Sequence, residues 1–323
     1  MSNAGAGGDS IAVCTALDAG YLPLVLVVAT SIAASASPTS RVVFHVFYDG
    51  QDSRFVRQVE RWRHPQVEIV LHRLPNPYAH FGTIGGLPPS TLFRLVVPEG
   101  LPQLDRAIYL DCDLIVEADL ADLFHTPLNG KPIGAVVDIR FIDRALTSHP
   151  DRQRLRDDTR GYLHRVLGFD TDEAISTYVQ AGVALLDLGQ LRRIGYASRM
   201  ADTLHRLRDE LLFADQCATN AAFRGDITLL DPRWNVFPEA LPGGAWDDVI
   251  PALRPAVAAQ RRDPRIIHFA YLKPWRHPGL PGSTRWWRHA RRAGLGPFYA
   301  WQFIAARSRA KLDRLRRLLG RLR

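Results

Sequence analysis

Residues 106–116 read Arg-Ala-Ile-Tyr-Leu-Asp-Cys-Asp-Leu-Ile-Val, an apolar, strand-like run broken by two carboxylates two positions apart. Such a run belongs to a buried strand, and residues i and i+2 of a strand share a face. Asp111 and Asp113 therefore project together from its end, where like charges repel unless a cation lies between them. A divalent metal is the simplest such cation. Hard oxygen ligands suit Mg²⁺ or Mn²⁺ rather than zinc, and two carboxylates leave coordination positions that phosphates commonly fill.

The segments before this strand predict the architecture. Residues 11–17 are a short apolar run stopping at Asp18-Ala19-Gly20, and Pro23 then sits at a first helical position. Residues 41–48 are β-rich and end at the turn pair Asp49-Gly50, residues 51–63 have helical character, and residues 67–74 return to strand. The β-α-β-α-β order implies a parallel, doubly wound sheet. Downstream, 90–97 and 119–124 read as helical, 133–137 as a strand ending at Asp138, and 151–165 as a charged, exposed excursion. Residues 178–188 are strand-like and 197–212 helical. Ligands of open α/β sheets gather at the carboxyl ends of strands. Asp18, Asp111, Asp113 and Asp138 all fall at such predicted ends, where a metal-bridged carboxylate pair would clamp a diphosphate.

The 323 residues, 46% of them apolar, suffice for a full core. Three scattered cysteines without a CxxC pair indicate free thiols and a reducing compartment. The net charge of +8 looks like a nucleic-acid signal until it is located. Residues 285–323 contain eleven arginines and one lysine against a single aspartate, so the rest of the chain is mildly acidic. Charge concentrated in a tail favours an electrostatic surface anchor over a nucleic-acid groove. Residues 1–10 are small and polar without a basic leader, which disfavours a secretory signal. The apolar stretch 21–36 is shorter than the ~20 residues of a membrane span, and reads as a buried helix.

Five stretches, in order, resemble glycosyltransferase family 8, which includes bacterial lipopolysaccharide galactosyl- and glucosyltransferases and glycogenin. They are Thr15-Ala16-Leu17-Asp18-Ala19-Gly20-Tyr21; Leu92-Phe93-Arg94-Leu95; Tyr109-Leu110-Asp111-Cys112-Asp113; Gln180-Ala181-Gly182-Val183 with Asp215-Gln216; and His268-Phe269 through Lys273-Pro274-Trp275. The resemblance implies a GT-A fold: a Rossmann-like, mixed but mainly parallel sheet flanked by helices, here with a basic amphipathic C-terminal extension. It implies a UDP-sugar donor and Mn²⁺, with Mg²⁺ as the alternative ion. By resemblance, Ala16, Asp18 and Tyr21 would hold the uridine, and Asp111, Asp113 and His268 the metal. Arg94, Ala181, Gly182, Asp215 and Gln216 would face the donor sugar, with Cys112 and Gln180 also at the donor site and Lys273 on the diphosphate. Gln216 would steady the oxocarbenium-like sugar during a retaining transfer, and Asp138 would orient the acceptor. In this chain Gln180 stands where the family has Asn. His268 and Lys273 are five positions apart without an intervening Gly, where the family has six with one.

These readings divide the chain into a disordered start (1–10), a glycosyltransferase domain (11–275) and a basic, aromatic membrane-association segment (276–323). Trp286-Trp287 lie among arginines, and leucines at helical spacing fill 310–323. The expected product is a hexosyl glycan, with lipopolysaccharide or another lipid-linked glycan as acceptor. The expected location is cytoplasmic, on the inner face of the cell membrane, and a cut after Pro281 is expected to free a soluble enzyme. Two other classes stay open: a membrane-bound UDP-sugar-binding protein without transfer activity, and a haloacid-dehalogenase-like phosphatase using Asp111 as nucleophile.

Overall fold

The structure, a computed structural model, describes residues 10–50 and 54–304. Its main sheet contains β1 (Ile11–Asp18), β2 (Val42–Asp49), β3 (Val67–Arg73), β4 (Arg106–Leu110), β6 (Ile133–Val137), β7 (Val179–Asp187) and β8 (Ile227–Leu229) in the order β3-β2-β1-β4-β7-β6-β8. β3, β2, β1 and β4 run parallel, β7 runs antiparallel to both β4 and β6, and β8 parallels β6. A separate antiparallel pair joins β5 (Leu114–Val116) to β9 (Ile266–His268). This is the mixed, mainly parallel sheet expected of a GT-A fold.

The helix Leu22–Ser35 is apolar round most of its circumference because it is covered on more than one side. It packs on β5, on strands of the main sheet and on a later helix, Ser283–Arg292. Ser31 fastens it to β5, its hydroxyl accepting the Val116 N–H at 3.0 Å. Among the described residues, no helix is long and apolar enough to cross a membrane. Residues 90–97 are tighter than expected, the stretch Pro89–Val96 being 3-10 helix. Residues 151–165 are largely the helix Gln153–Arg165, which packs on the helix Ile139–Leu146.

A boundary after residue 275 does not separate two bodies. The Trp286 indole is fully buried, 5.1 Å from the Trp275 ring and 5.1 Å from that of Tyr299. Arg285 donates to Glu117 at 3.1 Å, just beyond β5. A cut after Pro281 would strip these groups from the core, and losing a buried Trp side chain alone costs about 3–5 kcal/mol. It would therefore destabilise the domain rather than free it. The leucine-rich stretch 310–323 lies outside the described residues.

Candidate active site

Strand direction explains where the site forms. β1, β4 and β6 point the same way, so Asp18, Asp111 and Asp138 gather at one edge of the sheet. β7 runs oppositely and so begins at that edge, bringing Gln180, Ala181 and Gly182. β5 leaves the edge immediately after Asp113, and antiparallel β9 returns to it with Leu114 paired to His268. Backbone bonds close the junction, Asp111 N–H to Gly182 O and Phe269 N–H to Asp113 O, both at 2.8 Å.

Asp111, Asp113 and His268 each offer an atom to a cluster whose members lie within 4.8 Å of one another. A chain of hydrogen bonds fixes the polarity of the imidazole. The Gly182 N–H can only donate, and it donates to Gln180 Oε1 at 2.6 Å. Asn235 Nδ2 donates to the same oxygen at 2.6 Å, which turns Asn235 Oδ1 toward His268 Nδ1, 3.0 Å away. His268 therefore carries its proton on Nδ1. Its Nε2 lone pair faces Asp113 Oδ1 at 3.1 Å and Asp111 Oδ2 at 3.7 Å. Electron-pair donors converging on one point suit a divalent cation, and a ligating His is usually oriented through its other nitrogen in this way. The donor set fits Mn²⁺ or Mg²⁺, with the imidazole favouring Mn²⁺. Replacing Asn235 with Leu removes the acceptor that fixes this tautomer. Mn²⁺ affinity, measured by calorimetry, is expected to fall about 10–100-fold; unaltered affinity would dissociate the Asn from the site.

Lys273 reaches the same carboxylates despite its short offset from His268. Its ammonium donates to Asp113 Oδ2, to Phe269 O at 2.9 Å and to Ala270 O at 2.8 Å, using all three N–H groups. Burial alone would raise the Asp113 pKa, but the Lys273 ammonium opposes it and holds the carboxyl below its usual range. Arg94 performs the matching service on the other side. It donates to Asp111 Oδ1 at 2.7 Å and to Ala181 O at 2.8 Å, pairs with Asp215 at 3.0 Å, and lies 4.5 Å from the Tyr109 ring centre. Burial raises the Asp215 pKa more than Arg94 lowers it.

Gln216 sits in the first turn of the helix Ala214–Ala222. Its Nε2 donates to Asp138 Oδ2 at 2.9 Å and to the Tyr178 hydroxyl at 3.2 Å, leaving the carbonyl end of the amide for the cleft. Asp138 differs from the expectation that it orients the acceptor. It is fully buried behind Gln216 and does not line the cleft, because its other oxygen caps the helix Ile139–Leu146 through the Phe141 N–H at 3.0 Å. Asp18 likewise closes a turn, accepting the Gly20 N–H at 2.8 Å.

One cleft of about 380 Å³ is lined by Ala16, Asp18, Tyr21, Arg94, Asp111, Cys112, Asp113, Gln180, Ala181, Gly182, Asp215, Gln216, His268 and Lys273. Of the residues expected in the site, Asp138 alone stands back from it. Sequence reasoning missed Asn235, Tyr178, Phe213 and Tyr271. Asn235 and Tyr178 act through long-range contacts that leave no local spacing; Phe213 abuts the Asp215-Gln216 motif. Tyr271 falls in the segment that departs from the family's His–Lys spacing.

Comparison with known proteins agrees with this geometry. The profile of one family, Glycosyl transferase family 8, matches residues 12–279. Lipopolysaccharide 1,2-glucosyltransferase of Escherichia coli K12 is 25% identical over 233 residues, covering 70% of this chain and 61% of its own length. Probable galacturonosyltransferase 12 of Arabidopsis thaliana is 25% identical over 233 residues, covering 68% of this chain. The chain spans 40% of that relative's length and 27% of the length of probable galacturonosyltransferase 7. Among solved structures, galactosyltransferase LgtC with donor and acceptor sugar analogs superposes with a TM-score of 0.71 at 23% identity, over 87% of this chain and 96% of that one. The apo structure of the bifunctional glycosyltransferase WbbM gives 0.74 at 21%, over 93% of this chain and 52% of that one. At these identities the superpositions speak to the fold.

Proposed function

Because the chain belongs to glycosyl transferase family 8, we propose that it moves a hexose, galactose or glucose, from a UDP-sugar to a hydroxyl of a glycan acceptor with retention of anomeric configuration. The observation that carries this reading is the convergence of Asp111, Asp113 and a His268 lone pair at the sheet edge. Those three residues would hold Mn²⁺, or Mg²⁺ in its place. When bound there, the ion supplies charge neutralisation for the diphosphate as UDP departs.

The chain's own groups account for the other tasks. Ala16, Asp18 and Tyr21 form the wall assigned to the uridine, and Lys273 adds a positive charge for the phosphates. Arg94 holds Asp111 and Asp215 in register, so its effect on the sugar passes largely through them. Gln216 is an amide and too weak a nucleophile for a ready covalent intermediate. The acceptor hydroxyl then attacks from the face that UDP leaves: the new C–O bond forms as the bond to phosphate breaks, and the hydroxyl proton passes to the departing phosphate oxygen. The Gln216 carbonyl dipole stabilises the positive charge on the sugar meanwhile. The phosphatase alternative loses its basis with the family assignment. The sensor alternative loses its motive, since Lys273 reaches Asp113 across the short offset.

The test is UDP release from a panel of UDP-sugars. Slow, Mn²⁺-dependent hydrolysis of one donor is expected, and release from none of them would refute the transferase.

We further place the acceptor on a lipid-linked glycan at an anionic, cytoplasmic membrane face. Support comes from residues 305–323, whose cations each contribute about 1 kcal/mol near such a surface. Trp301 and Ile304, 65% and 62% exposed, lead into that stretch. Truncation after Ile304 keeps Trp286 in the core and should abolish sedimentation with anionic vesicles; equal sedimentation of both forms would remove the anchor.

A further inference from the structure

The cleft has a second wall that the donor does not explain. Tyr271 lines the same cleft, is 39% exposed, and has the Arg140 guanidinium 4.2 Å from its ring centre. The Phe237 ring packs edge-on against it, 5.5 Å away. Arg140 and Arg144 stand one turn apart on the helix Ile139–Leu146, so both project from the same face. That helix is capped by Asp138, which accepts from Gln216 Nε2, so its first turn lies next to that amide. Arg140 meets the cleft through Tyr271, and Arg144 continues the same face one turn further along the helix.

The charges here do not balance. Arg140 pairs with Glu239 at 3.0 Å. The neighbouring Asp143 is taken by Arg152 at 3.3 Å and by the Ile250 N–H at 2.9 Å. Arg144 is half-buried, and among the described residues no carboxylate lies within ion-pair distance of it. A partly desolvated guanidinium with neither full hydration nor a counter-ion favours an incoming anion, and its planar fork matches carboxylate or phosphate. The aromatic and apolar surfaces of Tyr271 and of Leu272, which is 45% exposed, suit the carbon skeleton of a sugar ring.

We propose that Arg144, with Arg140 and Tyr271, forms an acceptor subsite for an acidic sugar residue bearing a carboxylate or a phosphate. The assignment rests on the transferase reading, since only a transferase needs an acceptor at this wall. The test uses the full chain with UDP and Mn²⁺ and three disaccharide probes of one linkage: uronate-bearing, phosphate-bearing and neutral. Calorimetry should find one charged probe bound about ten-fold more tightly than the neutral one. Arg144→Gln should bring that charged-to-neutral ratio close to one, and Arg144→Glu should invert it. Which acidic probe gains tells carboxylate from phosphate. Equal affinity for all three probes, or a ratio that Arg144→Gln leaves intact, would overturn the subsite. UDP binding by the wild-type chain, read in the same titration, reports separately: without it the transferase reading falls, while the probe ratio still decides whether the wall selects anions.

Discussion

Gly182→Ala should cut transfer by about two to three orders of magnitude while leaving the fold intact. A Cβ at this position would lie 2.3 Å from His268 Cε1, 2.6 Å from Asp111 Oδ2 and 3.0 Å from Gln180 Oε1. These atoms belong to two members of the proposed metal cluster and to the first link of the chain that orients His268. The backbone of Gly182 itself poses no difficulty for alanine, because its φ is not in the left-handed region. The demand for glycine is purely one of space. Displacing reacting groups by about 1 Å can cost about 10²-fold in rate, and here both a carboxylate and the imidazole must move. We expect kcat/KM to fall by about 10²–10³-fold, together with Mn²⁺ affinity, while the thermal midpoint moves little. Near-normal turnover in Gly182→Ala would mean that these atoms need not meet.

Asp138→Asn should lower kcat by about 10²-fold with little change in the KM for donor, the scale of losing one preorganised electrostatic group. An ionised carboxylate only accepts hydrogen bonds, so Asp138 obliges Gln216 to present Nε2 to it and the carbonyl to the sugar. Asparagine caps a helix as well as aspartate does and can keep the bond from the Phe141 N–H, so the fold should persist. Its NH₂ would now favour the reversed Gln216 amide, and the Tyr178 hydroxyl can donate to that arrangement as readily as it accepts in the present one. A partially positive amide end would then face a developing cation. Protonating Asp138 has the same consequence. Burial raises its pKa above the ordinary carboxylate value, with the Phe141 N–H and Gln216 only partly compensating. Activity should therefore fall on the acid side as pH drops through a pKa above the usual Asp range, and Asp138→Asn should lack that limb. A wild-type kcat in the variant would exclude Asp138 from positioning Gln216.

Much of this site was legible because its chemistry is local in sequence. Asp111 and Asp113 announce themselves by alternation within an apolar strand, and Asp18 and Asp138 by closing predicted strands. The direction of β7 was not legible, since alternating burial reads the same in either direction. That reversal brings Gln180 and Gly182 to the metal edge and makes Gln180 a link to His268 through Asn235 as well as a lining residue. Asn235 contacts His268 and Gln180 across 33 and 55 positions, distances over which no periodicity reports. Asp138 looked like a cleft residue because it ends a strand at the correct edge. Burial, which composition cannot convey, sets it one layer back. The aromatic, arginine-rich stretch after residue 275 suits a lipid interface or a packed helix equally well. Trp286 enters the core while Arg285 and Arg288 stay at the surface, so the described part of that stretch serves the fold.

The central claim is that Asp111, Asp113 and His268 hold a divalent ion where the donor's diphosphate binds. Titrating Mn²⁺ into the full chain saturated with UDP, and following the free-ion resonance by electron paramagnetic spectroscopy, addresses it directly. The account predicts one tightly bound ion per chain, lost in Asp113→Asn. Equal Mn²⁺ uptake by Asp113→Asn and the wild-type chain would contradict it.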